Sequence, residues 1–258
     1  MELIIGLTVP LLGTVLGAGT VFLVRNKISD LANKAMLGFA AGVMVAACFW
    51  SLLQPALEQT GSASLAQSWP VIAGFLAGIT FLLLLDTFIP HQHVNEEQAE
   101  GPSSALPRSA KMMLAVALHN IPEGMAVGVV FAGVSSGEST LTLAGALALS
   151  IGMAVQNIPE GAIISMPLHS EGKSRSEAFL KGALSGLVEP VAAICTILFL
   201  EGTISAMPPL LSFAAGAMLY VVVEELVPSS QNGRHSNIGT IGFACGFALM
   251  MVLDSVIG

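Results

Sequence analysis

An all-α integral membrane protein with eight transmembrane helices is the fold that three observations predict. Apolar residues make up 54% of the 258 and charged residues only 10%, with a mean hydropathy of +0.81. The apolar residues come in long runs instead of alternating with polar ones. Turns rich in Gly, Ser, Pro and charge separate those runs.

The first run, 3–24, holds no charged residue and is long enough to cross about 30 Å of hydrocarbon as a helix. No basic residue precedes it and no small-x-small cleavage site follows, so it reads as helix one and not as a leader. The second, 35–57, is likewise uncharged. Comparable runs follow at 69–88, 112–134, 140–167, 182–200, 204–227 and 238–257. The expected organisation is a single transmembrane domain over 1–258, whose longest connection is the loop 89–108 between helices three and four.

Lys and Arg stay preferentially on the cytoplasmic side of a membrane. All nine basic residues fall in alternate connections: Arg25, Lys27 and Lys34; Arg108 and Lys111; Lys173, Arg175 and Lys181; and Arg234. The opposite loops carry Glu58, Glu138 and Glu201 and no basic residue. Both termini are therefore expected outside, with 89–108 in the cytoplasm. The stretch 39–55, FAAGVMVAACFWSLLQP, matches 213–229, FAAGAMLYVVVEELVPS, in its opening FAAGxM and its later proline. Helices two and seven run in opposite directions, so an inverted repeat of helices one to three against six to eight is expected. Such repeats underlie alternating access in transporters.

Some classes are excluded early. A net charge of −8 without a basic stripe argues against nucleic acid as a partner. Cys48, Cys195 and Cys245 lie singly in three helices without CxxC spacing and read as small apolar packers.

HNIPEG at 119–124 and QNIPEG at 156–161 place polar residues in the middle of helices four and five. Each lies about 14 Å from the inner end of its helix, and Glu189 of helix six lies about 10 Å in, at 1.5 Å per residue. Met44 of helix two is at a similar level. Positions i and i+4 share a helix face, so His119 with Glu123, and Gln156 with Glu160, converge. Pro122 and Pro159 each remove one backbone bond, which predicts a bend that frees carbonyl groups toward the site. Ionisable groups at that depth cost several kcal/mol unless paired, and no Lys or Arg is near. A divalent cation is the expected partner, because imidazole, carboxylate and amide oxygen suit zinc and its neighbours and no thiolate selects copper. Helix glue through hydrogen bonds is the bland alternative for these residues. Rival functions are a metal-dependent intramembrane hydrolase, although HExxH is absent; a metal-selective channel; and a proton antiporter.

HNIPEG, QNIPEG, GLVEP at 186–190 and AAGVMVAACFWSLLQPALE at 40–58 together resemble the ZIP (Zrt/Irt-like) metal transporters, in their GufA-like branch. The resemblance covers all eight helices. It implies a transporter that imports divalent transition metals, chiefly Zn2+, as a homodimer; the ligand types leave Cd2+, Fe2+ and Mn2+ open as cargo, and the short loops point to a bacterial inner membrane. It also implies an elevator motion of helices one, four, five and six against two, three, seven and eight. Carried over to this chain, one metal uses His119, Glu123, Gln156 and Glu160 with Met44 nearby. A second uses Asn120, Asn157 and Glu189, with Glu123 and Glu160 bridging. Asn157 departs from relatives that carry an acid there, which removes a charge from the second site.

Further polar residues mark the approaches. Ser51 and Glu58 match the family's outer entrance. Asp86 at the end of helix three, with His91, His93, Glu96, Glu97 and Glu100 in the loop, is suited to capture metal leaving the site. Glu224 and Glu225 near the inner end of helix seven are candidates for the same path or for an interfacial pair. His169 and His235, in inner loops, receive no role.

Overall fold

The computed structural model describes residues 1–23, 28–61, 64–92, 99–200, 206–233 and 235–258. His93, Glu96, Glu97, Glu201, Arg25, Lys27 and Arg234 lie outside those residues. Among the described residues, eight helices are long and apolar enough to cross a membrane. They are α1 Glu2–Leu23, α2 Asp30–Thr60, α3 Leu65–Phe88, α4 Arg108–Ser135, α5 Leu143–Ser170, α6 Arg175–Leu200, α7 Met207–Gln231 and α8 Ile238–Val256. The chain is thus an all-helical, multi-pass membrane protein, as the apolar runs predicted.

Several starts are set by side-chain caps that satisfy the free N–H groups of the first turn. Ser29 Oγ accepts from the Ala32 N–H at 3.2 Å, and Thr142 Oγ1 from the Gly145 N–H at 2.9 Å. Ser174 Oγ accepts from the Glu177 N–H at 3.1 Å, in the S-x-x-E arrangement of a capping box. That cap starts α6 at Arg175, seven residues before the apolar run suggested.

Neither proline of the hexapeptides ends its helix. Helices α4 and α5 continue through Pro122 and Pro159. One missing N–H does not interrupt a helix of 28 residues whose other bonds are intact in a medium without competing water. Instead α6 breaks between Ser185 and Val188. Pro190 deprives the Gly186 carbonyl of its usual donor, and that carbonyl accepts from the Glu189 N–H at 3.2 Å. Helices α2 and α7 each widen into a π-helical stretch, at Cys48–Leu53 and Val222–Leu226. In both, the backbone N–H immediately before a proline reaches five residues back, Gln54 to Phe49 and Val227 to Val222. Pro55 and Pro228 follow directly, so a missing donor accounts for both stretches.

The helices pack in four parallel pairs, α1 with α5, α4 with α6, α2 with α8 and α3 with α7. Glycines four residues apart let each pair approach closely. A Cβ on Gly13 or Gly17 would collide with the carbonyls of Ala154 and Ile158. One on Gly124 or Gly128 would meet those of Glu189 and Ala193. Gly42 faces Phe243 and Gly78 faces Phe213 in the same way. Parallel partners must cross the membrane in the same direction, and every pair joins two odd-numbered or two even-numbered helices. That parity is what eight successive single crossings require. Helices α1, α4, α5 and α6 pack mainly on one another, as do α2, α3, α7 and α8, and the two groups meet chiefly along α4 with α7 and α2 with α5.

Candidate metal centre

The two hexapeptides face each other across α4 and α5, and each letter of the motif has a separate job. The asparagine amides hold the backbones of the flanking helices. Asn120 Nδ2 donates to the Ser185 carbonyl at 3.0 Å, a group the break in α6 has deprived of its helical donor. Asn157 Nδ2 donates to the Pro10 carbonyl of α1 at 3.1 Å. The closing glycines, Gly124 and Gly161, lie directly under the carbonyls of Glu189 and Thr14.

The carboxylates of Glu123, Glu160 and Glu189 lie close enough to repel one another. Glu123 and Glu189 are buried, as are Asn120, Gln156 and Asn157, while Glu160 and His119 are partly exposed. Met44 is fully buried in α2. Both carboxylate oxygens of Glu123, the Asn120 Oδ1 and the Gln156 Oε1 are buried without a hydrogen-bond partner. A buried acceptor with no donor costs about 1–3 kcal/mol, more when charged. Four such oxygens on two facing helices fit a cation, and a carboxylate, two amide oxygens and an imidazole are a hard-to-intermediate donor set of the kind zinc accepts.

Glu189 is bonded on both oxygens. Thr14 Oγ1 donates to Oε1 at 3.3 Å and Asn157 Nδ2 to Oε2 at 2.7 Å. Gln156 Nε2 in turn donates to Asn157 Oδ1 at 3.2 Å and toward Met153 Sδ at 3.5 Å, which leaves its buried Oε1 without a hydrogen-bond partner.

Three contacts had no signal in the sequence. Glu225 of α7 lies 2.8 Å from His119 Nδ1, the carboxylate–histidine contact that orients a metal-binding imidazole. Glu225 was expected near an exit or at an interface, and it joins the centre from the opposite helix group. Asp254 Oδ1 accepts from Ser51 Oγ at 3.1 Å in a cavity of about 210 Å³, lined also by Gln54, Glu58 and Thr140. Gln54 Nε2 donates to Glu58 at 2.9 Å. Thr14 is the third, through its bond to Glu189.

At the other end of the bundle the loop's described ends are tied together. His91 and Glu100 exchange backbone hydrogen bonds of 3.2 and 2.8 Å. Buried His91 places Nε2 3.0 Å from Asp86 Oδ1 and 3.6 Å from Glu100 Oε2. Tyr220 donates to the second oxygen of Asp86 at 3.0 Å. One ligand atom from each of Asp86, His91 and Glu100 lies within 4.8 Å of the others, so these three of the expected exit residues do come together. Glu224 lines the neighbouring cavity with Glu100 and Glu225.

A family model described as ZIP Zinc transporter matches residues 2–112 and 90–254. The chain is 40% identical over 235 residues to the zinc transporter ZIPB of Bordetella bronchiseptica, which covers 90% of this chain and 74% of that one. It is 37% identical over 259 residues to the zinc transporter GufA of Myxococcus xanthus, covering 98% and 99%. It is 31% identical over 323 aligned positions to human zinc transporter ZIP11, covering 95% and 94%.

Proposed function

The chain belongs to the ZIP zinc transporter family, and from that premise we propose how it moves its cargo. It is a membrane transporter of zinc and not an enzyme. Zinc is bound between α4 and α5 by His119, Glu123, Gln156 and Glu160, with Met44 beside them. The buried, unpartnered oxygens of Glu123 and Gln156 carry this reading, because buried acceptors call for a positive partner. Cadmium, iron and manganese are further candidates for the same donors.

Alternating access is the mechanism we favour. The two helix groups correspond to the bodies that an elevator needs, and the pairing within them is supported as an inverted repeat residue by residue. Gly74 and Gly78 meet the carbonyls of Pro209 and Phe213, while Gly242 and Gly246 meet those of Ala35 and Phe39, at the matching places of 35–39 and 209–213. The bond from Asn120 to Ser185 is matched by that from Asn157 to Pro10. Zinc enters past Ser51, Glu58 and Asp254 and leaves past Glu225, Glu224 and the Asp86, His91 and Glu100 cluster. The placement of basic residues supports outside termini, and the resemblance to the ZIP transporters supports inward transport. Short loops support a bacterial inner membrane. In α3 and α8 only 17% of the most apolar window is buried, so their outward faces are free to meet lipid or a second copy in a homodimer.

The test is zinc uptake into liposomes. Wild type should load a zinc-sensitive dye with saturation, and the folded His119→Ala, Glu123→Ala variant should lose at least about 100-fold. Normal uptake by that variant would overturn the assignment, and unsaturable flux by wild type would favour a channel. A milder change isolates Glu225. Glu225→Gln removes the charge that orients His119, and zinc affinity should fall about 10- to 100-fold with the protein's thermal unfolding unmoved.

A further inference from the structure

The resemblance implies two metals, and the bonds around Asn157 disagree with it. Asn157 Nδ2 sits 3.1 Å from the Pro10 carbonyl and 2.7 Å from Glu189 Oε2. Both are acceptors, so the nitrogen must face them; turning the amide over would set Oδ1 against a carbonyl and a carboxylate. Asn157 Oδ1 meanwhile accepts from Gln156 Nε2 at 3.2 Å. No oxygen of Asn157 faces Glu189, where the second ion would need one. Asn120 is arranged differently, with its nitrogen on Ser185 at 3.0 Å and its oxygen unpartnered.

Charge points the same way. Glu189 receives donors on both oxygens, from Thr14 and Asn157. It also lies in the first turn of Val188–Leu200, where the helix dipole favours an anion. Its charge is thus met by neutral dipoles. The two carboxylates that remain, Glu123 and Glu160, match the charge of one divalent cation.

We propose that this centre holds a single divalent cation, and that Asn157 is a positioning residue standing where a second ion would bridge. Its amide ties Glu189 to α1 and aims the Gln156 oxygen at the one ion. This rests on the transport reading of the same centre. The Asp86, His91 and Glu100 cluster is left unchanged in every variant compared below.

The experiment counts ions. The protein is purified in detergent, dialysed to equilibrium against Zn2+ and separately Cd2+, and bound metal per chain is measured by atomic emission. Wild type should exceed His119→Ala, Glu123→Ala by one ion. Glu189→Gln should keep that ion, since a glutamine oxygen still accepts from Asn157. Asn157→Asp, which puts an oxygen where the amide nitrogen was, should gain one. A wild-type excess of two ions would overturn the single-ion proposal and leave the transport reading standing, and an excess of none would overturn both. Loss of the ion in Glu189→Gln, or an unchanged count in Asn157→Asp, would overturn the role given to Asn157. Elution as a single sharp peak in gel filtration checks that each variant is folded.

Discussion

Oxidising a cysteine pair at Gly152 and Val43 is expected to stop zinc uptake almost completely, and dithiothreitol to restore it. Gly152 lies on α5 and Val43 on α2, one in each helix group, and a Cβ built on Gly152 stands 3.7 Å from Val43 Cγ1. Val43 Cγ1 stands about where the sulfur of a cysteine at 43 would lie, so the two cysteines come within reach of a bridge. The nearest obstruction to Gly152→Cys is the thioether end of Met250, a flexible group that can swing aside. Cys48, Cys195 and Cys245 would first be replaced by Ala. If α5 must slide past α2 to carry zinc between the two sides, a covalent tie halts turnover while leaving the metal site intact. The decisive reading pairs uptake with metal binding in the same oxidised sample. Bound zinc with no transport supports the moving body; full transport with the bridge demonstrably formed would mean that ions pass through a fixed path.

The same geometry shows what the sequence could and could not announce. Every span was legible because twenty apolar residues in a row have few other uses in water or lipid. The run 238–257 and the observed Ile238–Val256 differ by a single residue at the C-terminal end. The start of α6 was misplaced because hydropathy weighs Arg175, Glu177 and Lys181 as loop, although Ser174 with Glu177 spells a capping box. Within a helix the converging faces of the hexapeptides followed from i and i+4 spacing. Contacts between helices had no such rule. Glu225 on His119, Asp254 on Ser51 and Thr14 on Glu189 each join residues far apart in the chain, and one sequence carries no pairing information for them. The prolines differ in what they do to their helices. Pro122 and Pro159 leave their helices unbroken, while Pro55, Pro190 and Pro228 coincide with real departures from the α-helix. A missing N–H can be absorbed by a bend, a wider turn or a break, and local sequence does not choose among them.

Gly124→Val and Gly161→Val should each destabilise the protein by about 3 kcal/mol, at the upper end of what overpacking costs, and by similar amounts. The two glycines close the two hexapeptides and lie under the backbone carbonyls of Glu189 and Thr14 respectively. Backbone at the centre of a bundle cannot turn away as a side chain can, so a new Cβ forces α4 from α6 in one case and α5 from α1 in the other. Under the inverted repeat these are one contact occurring twice, and their losses should agree within about 1 kcal/mol. Gly137→Val is the control, since that glycine has open space around it yet a positive φ of 76°, and its cost is therefore conformational, about 1–2 kcal/mol. Thermal unfolding of the detergent-purified proteins reads all three. A large loss at Gly124 with none at Gly161 would separate the two halves energetically and count against their descent from one repeated unit. Equal losses that also abolish zinc binding would tie the closeness of these helix pairs to the placement of Glu123 and Glu160, one residue before each glycine.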